Sequence, residues 1–440
     1  MKTYYIKTLG CKVNQYESDG IAADLEQHGL IRAKNGRSVD VCIINTCAVT
    51  SKAAMQSRQA VRKLRRDNPD AKIYVTGCHA QTAPDMIRQI GDRVQLVSHQ
   101  DKTRLARYLV TDPDPFPLTF IPADHSPENR FHGFTLPVSG SMTRAYLKIQ
   151  DGCDAFCTYC IVPHARGSSV SMPRDMVMHH LQALGNAGFK EVILTGIHAG
   201  RYGRDLNPPT TLLELLETIQ DKKPVHRIRL SSIEPNEIDD RLADLAGPAG
   251  LVCDHFHVPL QSGDDTILKK MKRPYTADLF KEVIWRIHEK QPFAGIGVDT
   301  LIGFPTETDA RFENTYALIE QLPVSYLHVF PFSPRKGTPA FSFKPRVSDA
   351  VITQRCRRMR NLSRRKQQAF IQANRGRCLE AVVQNKTDAR TGRLKAVTSN
   401  YLTLYLENAP SLKGTVVNVT YDRWDETLNI SGELYHGKSI

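Results

Sequence analysis

Six short apolar runs recur between residues 145 and 330, with helical stretches between several of them, and this rhythm constrains the fold more than any other feature. The runs are 145–150, 191–195, 227–231, 255–259, 297–302 and 326–330, and a helical pattern marks 176–187, 212–219, 277–290 and 311–321. Parallel strands need long connections, usually helices, whereas antiparallel ones can be joined by tight turns. The series therefore predicts a partial (β/α)6 barrel over residues 139–369. A smaller alternation precedes it. Runs at 4–9, 41–45 and 72–76, each leading into a helical stretch, predict an open parallel α/β sheet over residues 1–111.

Two further stretches complete the layout. Residues 112–138, rich in Pro, Asp and His and without periodicity, read as a linker. A basic helix at about 349–374 precedes five short strands at 379–384, 394–397, 402–406, 415–421 and 427–436. Their length and their Gly, Asn and Asp punctuation predict a small all-β, OB-like barrel over 370–438. An α/β multidomain chain of three folded units fits a length of 440 residues. The opening ten residues read as a strand rather than a signal peptide, and no run approaches the roughly 18 apolar residues of a membrane span. The expectation is a cytoplasmic protein, in which ten cysteines would stay unpaired.

Their positions then matter. Cys153, Cys157 and Cys160 stand at C-x3-C-x2-C, three soft thiolate ligands within eight residues. A 4Fe–4S cluster normally takes four cysteines, so three leave one iron open for a small molecule. The alternatives are a zinc site completed by His164, or a redox pair at Cys157 and Cys160. Structural zinc sites use two separated pairs of ligands, and the pair does not open a helix after a thioredoxin-like strand. A second triplet is dispersed: Cys11, Cys47 and Cys78 each follow one of the first three strands. C-terminal strand ends of an open α/β sheet share one edge, where ligands bind, so these thiols can converge on a second cluster. Three unrelated small core residues are the bland alternative.

The C-x3-C-x2-C loop after a first barrel strand resembles the radical SAM superfamily. With Cys11, Cys47 and Cys78 added, the chain resembles the methylthiotransferases, which carry an N-terminal three-cysteine domain, a radical SAM core and a C-terminal TRAM domain. Thr8-Leu-Gly-Cys11-Lys-Val-Asn-Gln-Tyr-Glu-Ser18, Asn45-Thr-Cys47-Ala-Val-Thr50, Ser57-Arg-Gln59 and Leu147-Lys-Ile-Gln-Asp-Gly-Cys153 are most similar to the MtaB type. That type acts on tRNA bearing N6-threonylcarbamoyladenosine beside the anticodon. One departure stands out: the family usually has Arg-Ser-Arg-Pro after its Ala-Arg-Gly, whereas here Ala165-Arg166-Gly167 leads into Ser168-Ser-Val-Ser-Met-Pro173, two arginines short.

The resemblance implies two 4Fe–4S clusters and S-adenosylmethionine (SAM) as radical source and methyl donor. It also implies a tRNA anticodon stem-loop as substrate and an external electron donor such as flavodoxin or ferredoxin, with the sulfur source unnamed. The C2 carbon of adenine is unactivated, which is why a radical cofactor is needed. His164, His198 and His257 are accordingly read as structural or substrate-lining. Thr195, Gly196, Ser232, Glu234 and Gln261, at the C-terminal ends of barrel strands, are expected SAM contacts, with Val298 and Gly303 flanking its adenine; the bland reading is that each is a turn residue. A net charge of +13 favours a polyanionic partner. Arg58 and Arg62 in one basic run, and Arg355, Arg358 and Arg365 in another, are the expected RNA contacts. The rivals are the same chemistry on another tRNA adenosine or on ribosomal protein S12, and an RNA-binding protein whose clusters are structural or carry electrons.

Overall fold

The computed structural model describes residues 2–111, 130–134, 143–247 and 250–435. The expected linker lies outside the described residues except for 130–134, where Phe134 is buried edge-on against Tyr16.

The first unit is a five-stranded, all-parallel sheet of β1 (Thr3–Thr8), β2 (Ile31–Arg32), β3 (Val41–Thr46), β4 (Lys72–Gly77) and β5 (Val94–Leu96). Every residue of β3 is buried, as a central strand covered on both faces requires. The order is β2-β1-β3-β4-β5, so the winding reverses between β1 and β3. Ligands of doubly wound sheets bind outside the carboxyl ends of the strands at that reversal. Cys11 and Cys47 follow these two strands.

The core carries β6 (Arg144–Lys148), β7 (Gln150–Asp151), β8 (Val170–Ser171), β9 (Glu191–Thr195), β10 (Arg227–Leu230), β11 (His255–Gln261), β12 (Gly295–Ile302) and β13 (Tyr326–Pro331). Six of these form two parallel sheets, β10-β9-β6 and β11-β12-β13. The expected six-strand ladder is interrupted between β10 and β11 because residues 251–253 take the hydrogen bonds first: Ile228 N–H donates to Leu251 O (2.6 Å) and Cys253 N–H to Ile228 O (2.8 Å).

The helix Asp349–Ala373 starts at Ser348, whose side chain accepts from the Val351 N–H, and it buries Ile352, Cys356, Met359 and Leu362 at helical spacing. Beyond it lie β14 (Leu379–Thr387), β15 (Leu394–Thr398), β16 (Thr403–Leu406), β17 (Val416–Trp424) and β18 (Ile430–Leu434). They pair as a ring, β14-β15-β16-β18-β17, around a separate apolar core. This ring seats on the N-terminal ends of the core strands. Arg227 and Arg229 donate to the carbonyls of Val397, Thr398 and Ser399 at 2.7–2.9 Å. Both arginines are paired with the fully buried Glu191. Gly295 must be glycine, since a Cβ there would stand 2.2 Å from Asn400 O. The ring therefore closes the end of the core opposite the Cys153 loop. Among the described residues no helix is long and apolar enough to cross a membrane.

Candidate active site

The Cys153 loop is held from three sides. Gly152 takes φ +69°, and a Cβ on it would lie 1.9 Å from Ser168 O. Gln150, fully buried, donates to Asp151 O and Gly152 O (2.8 and 2.9 Å) and accepts from the His198 N–H (2.8 Å). Thr158 ties the far side to the carbonyls of Met271 and Lys270. The thiols have partners suited to thiolates. Cys153 Sγ lies 3.6 Å from His198 Nδ1, whose Nε2 meets Glu237 at 2.9 Å. Arg273 donates to Cys157 Sγ at 3.3 Å. Burial pushes the Cys160 thiol up to about 12 and also raises Cys157, so without metal these groups hold their protons.

A single zinc fits poorly. Thiolates each about 2.3 Å from one ion stand no more than about 4.6 Å apart. Among the described residues only His257, Asp299 and His328 bring three such ligand atoms within 4.8 Å of one another. The spread of the cysteines suits a larger, polynuclear group.

The second triplet gathers at the β1/β3/β4 edge. Gly10 (φ +100°) is needed because a Cβ would stand 2.9 Å from Cys47 Sγ. Asn14 Nδ2 donates to Leu9 O (2.7 Å) and Thr46 O (3.0 Å), locking the two strand ends together. Cys47 and Cys78 are buried and Cys11 exposed. Burial holds Cys47 up at about 11, with Cys78 and Cys11 close enough to add to the shift. Burial likewise raises Cys78, against the pull of Arg166. Gly77 precedes Cys78 at φ +92°, where a Cβ would lie 2.4 Å from Thr46 O. Gly77→Ala is expected to cost more than about 1 kcal/mol, read as a lowered urea midpoint, and to reduce bound iron. An unchanged midpoint would show that the turn is not strained.

The two units meet beside Cys78 and Ile161. The helix Cys78–Thr82 packs on the helix Val162–Arg166, and Ala48, Cys78, Ile161 and Ala165 form a small apolar cluster between them. Beside it a cavity of about 260 Å³ is walled by Val49 and Thr50 from the first unit and by Tyr159, Cys160, Gln261, Asp299, Leu301 and Phe330 from the core. Asp299 accepts from His257 Nε2 (2.7 Å) and His328 Nδ1 (3.1 Å), so these three side chains from adjacent strands form one hydrogen-bonded row.

Of the expected SAM contacts, Gln261 lines this cavity in a left-handed conformation (φ +66°) at a break in the β11–β12 register. Thr195 and Gly196 lie at the end of β9, and Gly196 leaves room for Gln150, whose Oε1 a Cβ would meet at 2.9 Å. Ser232 follows β10. Glu234 is taken by an ion pair with Arg273, placing it behind the Cys157 thiol. Two expectations are corrected. Strand side chains alternate, and since Asp299 and Leu301 face the cavity, Val298 faces the apolar core, where it is fully buried. At Gly303 the space of a Cβ is filled by Ile352, 2.3 Å away, and its N–H is held by Glu307 (3.0 Å). That glycine serves helix packing.

The arginines divide as well. Arg355, expected to bind RNA, is buried and paired with Glu307 and Asp309 at 2.6 Å each, which removes it from any RNA surface. Arg358, half-buried, and Arg365, exposed, are engaged by Glu313 (2.5 Å) and Glu320 (2.9 Å). Acidic side chains of the helix Asp309–Gln321 thus answer the basic helix. Arg62 is exposed beside Arg65, Arg66 and Arg93 in a surface hollow of about 670 Å³. Arg58 is half-buried and donates to His79 Nε2 at 3.2 Å.

Comparison with known proteins agrees with this layout. Residues 3–98 match the uncharacterized protein family UPF0004 and residues 147–319 the radical SAM superfamily. The threonylcarbamoyladenosine tRNA methylthiotransferase MtaB of Bacillus subtilis (strain 168) is 35% identical over 95% of this chain and 93% of its own length. The protein of that name from Rickettsia prowazekii (strain Madrid E) is 36% identical over 88% and 89%. Among solved structures, the radical S-adenosylmethionine methyltransferase TsrM from Kitasatospora setae, with cobalamin and a [4Fe-4S] cluster bound, superposes with a TM-score of 0.57 over 77% of each chain. At 16% identity that likeness speaks for the fold alone.

Proposed function

The chain belongs to the MtaB family of threonylcarbamoyladenosine tRNA methylthiotransferases, radical SAM proteins that use 4Fe–4S clusters and SAM, and on that premise we propose how its residues serve the reaction. The substrate is N6-threonylcarbamoyladenosine at position 37 of tRNA, in the anticodon stem-loop, and the product its 2-methylthio derivative. The observation that carries this reading is the cavity between the first unit and the core, with Cys160 in one wall and Thr50, three residues after Cys47, in another. When bound, a cluster on Cys153, Cys157 and Cys160 would supply the electron that cleaves SAM, and one on Cys11, Cys47 and Cys78 the sulfur.

The protein's own side chains do the rest. Arg273 and His198 donate toward Cys157 and Cys153, stabilising them as thiolates. Gln261, in the cavity wall, is read as a SAM contact. Phe330, exposed at the rim, offers a face on which a splayed-out base can stack. Arg62 and its neighbours would take RNA phosphates. The C-terminal ring is read as the TRAM domain; since it seats on the far end of the core strands, it would hold the body of the tRNA rather than the reacting base. We place the protein in the cytoplasm, reduced by a flavodoxin or ferredoxin. Mass spectrometry of tRNA nucleosides from a deletion strain tests the substrate. The methylthio derivative should vanish and return with the wild-type gene; its persistence would assign the chemistry elsewhere.

A further inference from the structure

Among the described residues, two arginines near the cavity have no acidic partner. Arg335 lies on the loop after β13, two residues beyond Ser333, which lines the cavity. It donates to Ser51 Oγ at 3.4 Å, while Ser51 itself is fastened to Ser333 by its N–H and its hydroxyl, each at 2.9 Å. Ser51 opens the helix Ser51–Asp67, and Arg58 stands two turns further along the same face. Arg58 is oriented by its hydrogen bond to His79. The guanidinium groups lie near enough that Arg58 opposes the charge on Arg335, and the sole group drawing the other way is Cys47.

Among the described residues neither arginine is paired with a carboxylate, although Arg355, Arg358 and Arg365 all are. Arg335 Nε is buried and has no hydrogen-bond partner. A guanidinium with an unsatisfied buried donor and no carboxylate beside it is costly unless an anion completes it.

Resting on the RNA-substrate reading, we infer that Arg335 and Arg58 together form a site for an oxyanion of the substrate nucleotide beside the cavity between the first unit and the core. Two groups of that nucleotide carry the required chemistry: a backbone phosphodiester and the carboxylate of the threonylcarbamoyl substituent. Planar guanidinium forks bind either with paired hydrogen bonds. The site would fix the target nucleotide as it enters the cavity, a positioning role distinct from supporting a cluster.

The test is binding, by fluorescence anisotropy, of a synthetic anticodon stem-loop to the full chain with and without reconstituted clusters. Two RNAs are compared, one with N6-threonylcarbamoyladenosine and one with plain adenosine at the same position. Arg335→Gln and Arg58→Gln should each weaken binding by at least roughly tenfold, with iron content unchanged, and Arg335→Lys should recover part of the loss. A loss on both RNAs identifies the phosphodiester; a loss confined to the modified RNA identifies the carboxylate. If wild type binds and both glutamine variants bind equally well, the inference fails alone. A loss seen only in loaded protein, together with lost iron, overturns it in favour of a cluster-supporting role. Should wild type bind neither RNA, the substrate reading itself falls.

Discussion

Replacing Cys153, Cys157 and Cys160 together by alanine is expected to leave about half of the wild-type iron and sulfide, as two four-iron sites require, and to abolish formation of 5′-deoxyadenosine from SAM. The reciprocal replacement of Cys11, Cys47 and Cys78 should also leave about half the iron, yet keep SAM cleavage. The loop should survive the first change, because its shape rests on Gln150, the Gly152 turn and Thr158 rather than on the thiols. Iron content with anaerobic turnover in dithionite therefore separates a role in the chemistry from a role in folding. Retention of all the iron would show that these cysteines are not ligands. Deoxyadenosine formation by the triple variant would place SAM cleavage elsewhere, and its absence in wild type would leave an iron–sulfur RNA-binding protein without the radical step.

Much of this site was visible in one dimension because its parts are local. The helix read at 277–290 is the helix Ala277–Lys290, and all six core strands fall within two residues of where their apolar runs begin. Each cysteine of the second triplet follows a strand, and topology alone brings such strand ends together. The failures share one cause, which is partners distant in sequence. Arg355 looked free because its carboxylates, Glu307 and Asp309, stand just before and at the first residue of another helix, 46–48 residues earlier. Val298 was assigned to the wrong face because an apolar run shows that a strand is buried but not which phase of its alternation meets the cavity. Asp299, which sets that phase, is identified only by His257 and His328 on the neighbouring strands. Arg166 and Glu17 also sat inside recognised motifs, yet nothing in either motif showed that they hold each other.

That contact carries the second large effect. Glu17 Oε1 accepts from Arg166 at 3.0 Å, joining the first unit to the core. Arg166 also reaches Asp151 (2.8 Å) and Asn14 (2.7 Å), while Lys102 and Lys148 close on Glu17 from its other sides. The side chains of Glu17, Lys102, Lys148 and Arg166 are each at most 3% exposed. Three cations thus share two carboxylates in a dry interface beside Cys78. Glu17→Gln keeps the shape but leaves three buried cations against Asp151 alone. Breaking a buried pair from one side typically costs about 3–5 kcal/mol, so the midpoint of thermal unfolding should fall by roughly five degrees. Arg166→Met, which instead leaves two cations against two carboxylates, should cost less. Combining the two should recover part of the Glu17→Gln loss, since the changes touch one network. The pH dependence follows from sign. Burial alone would raise the Glu17 carboxyl, but Arg166, Lys102 and Lys148 outweigh it and hold the group well below its usual range. Asp151 is likewise lowered, burial being overcome by Arg166 and Lys148. Depressed carboxylates contribute stability that is complete above their unfolded values, near pH 4, and lost as pH falls below them. Wild type should therefore lose its midpoint steeply below about pH 4, and Glu17→Gln, already without one of these carboxylates, should lose less. Equal acid slopes in the two proteins would mean that the network does not hold the domains together.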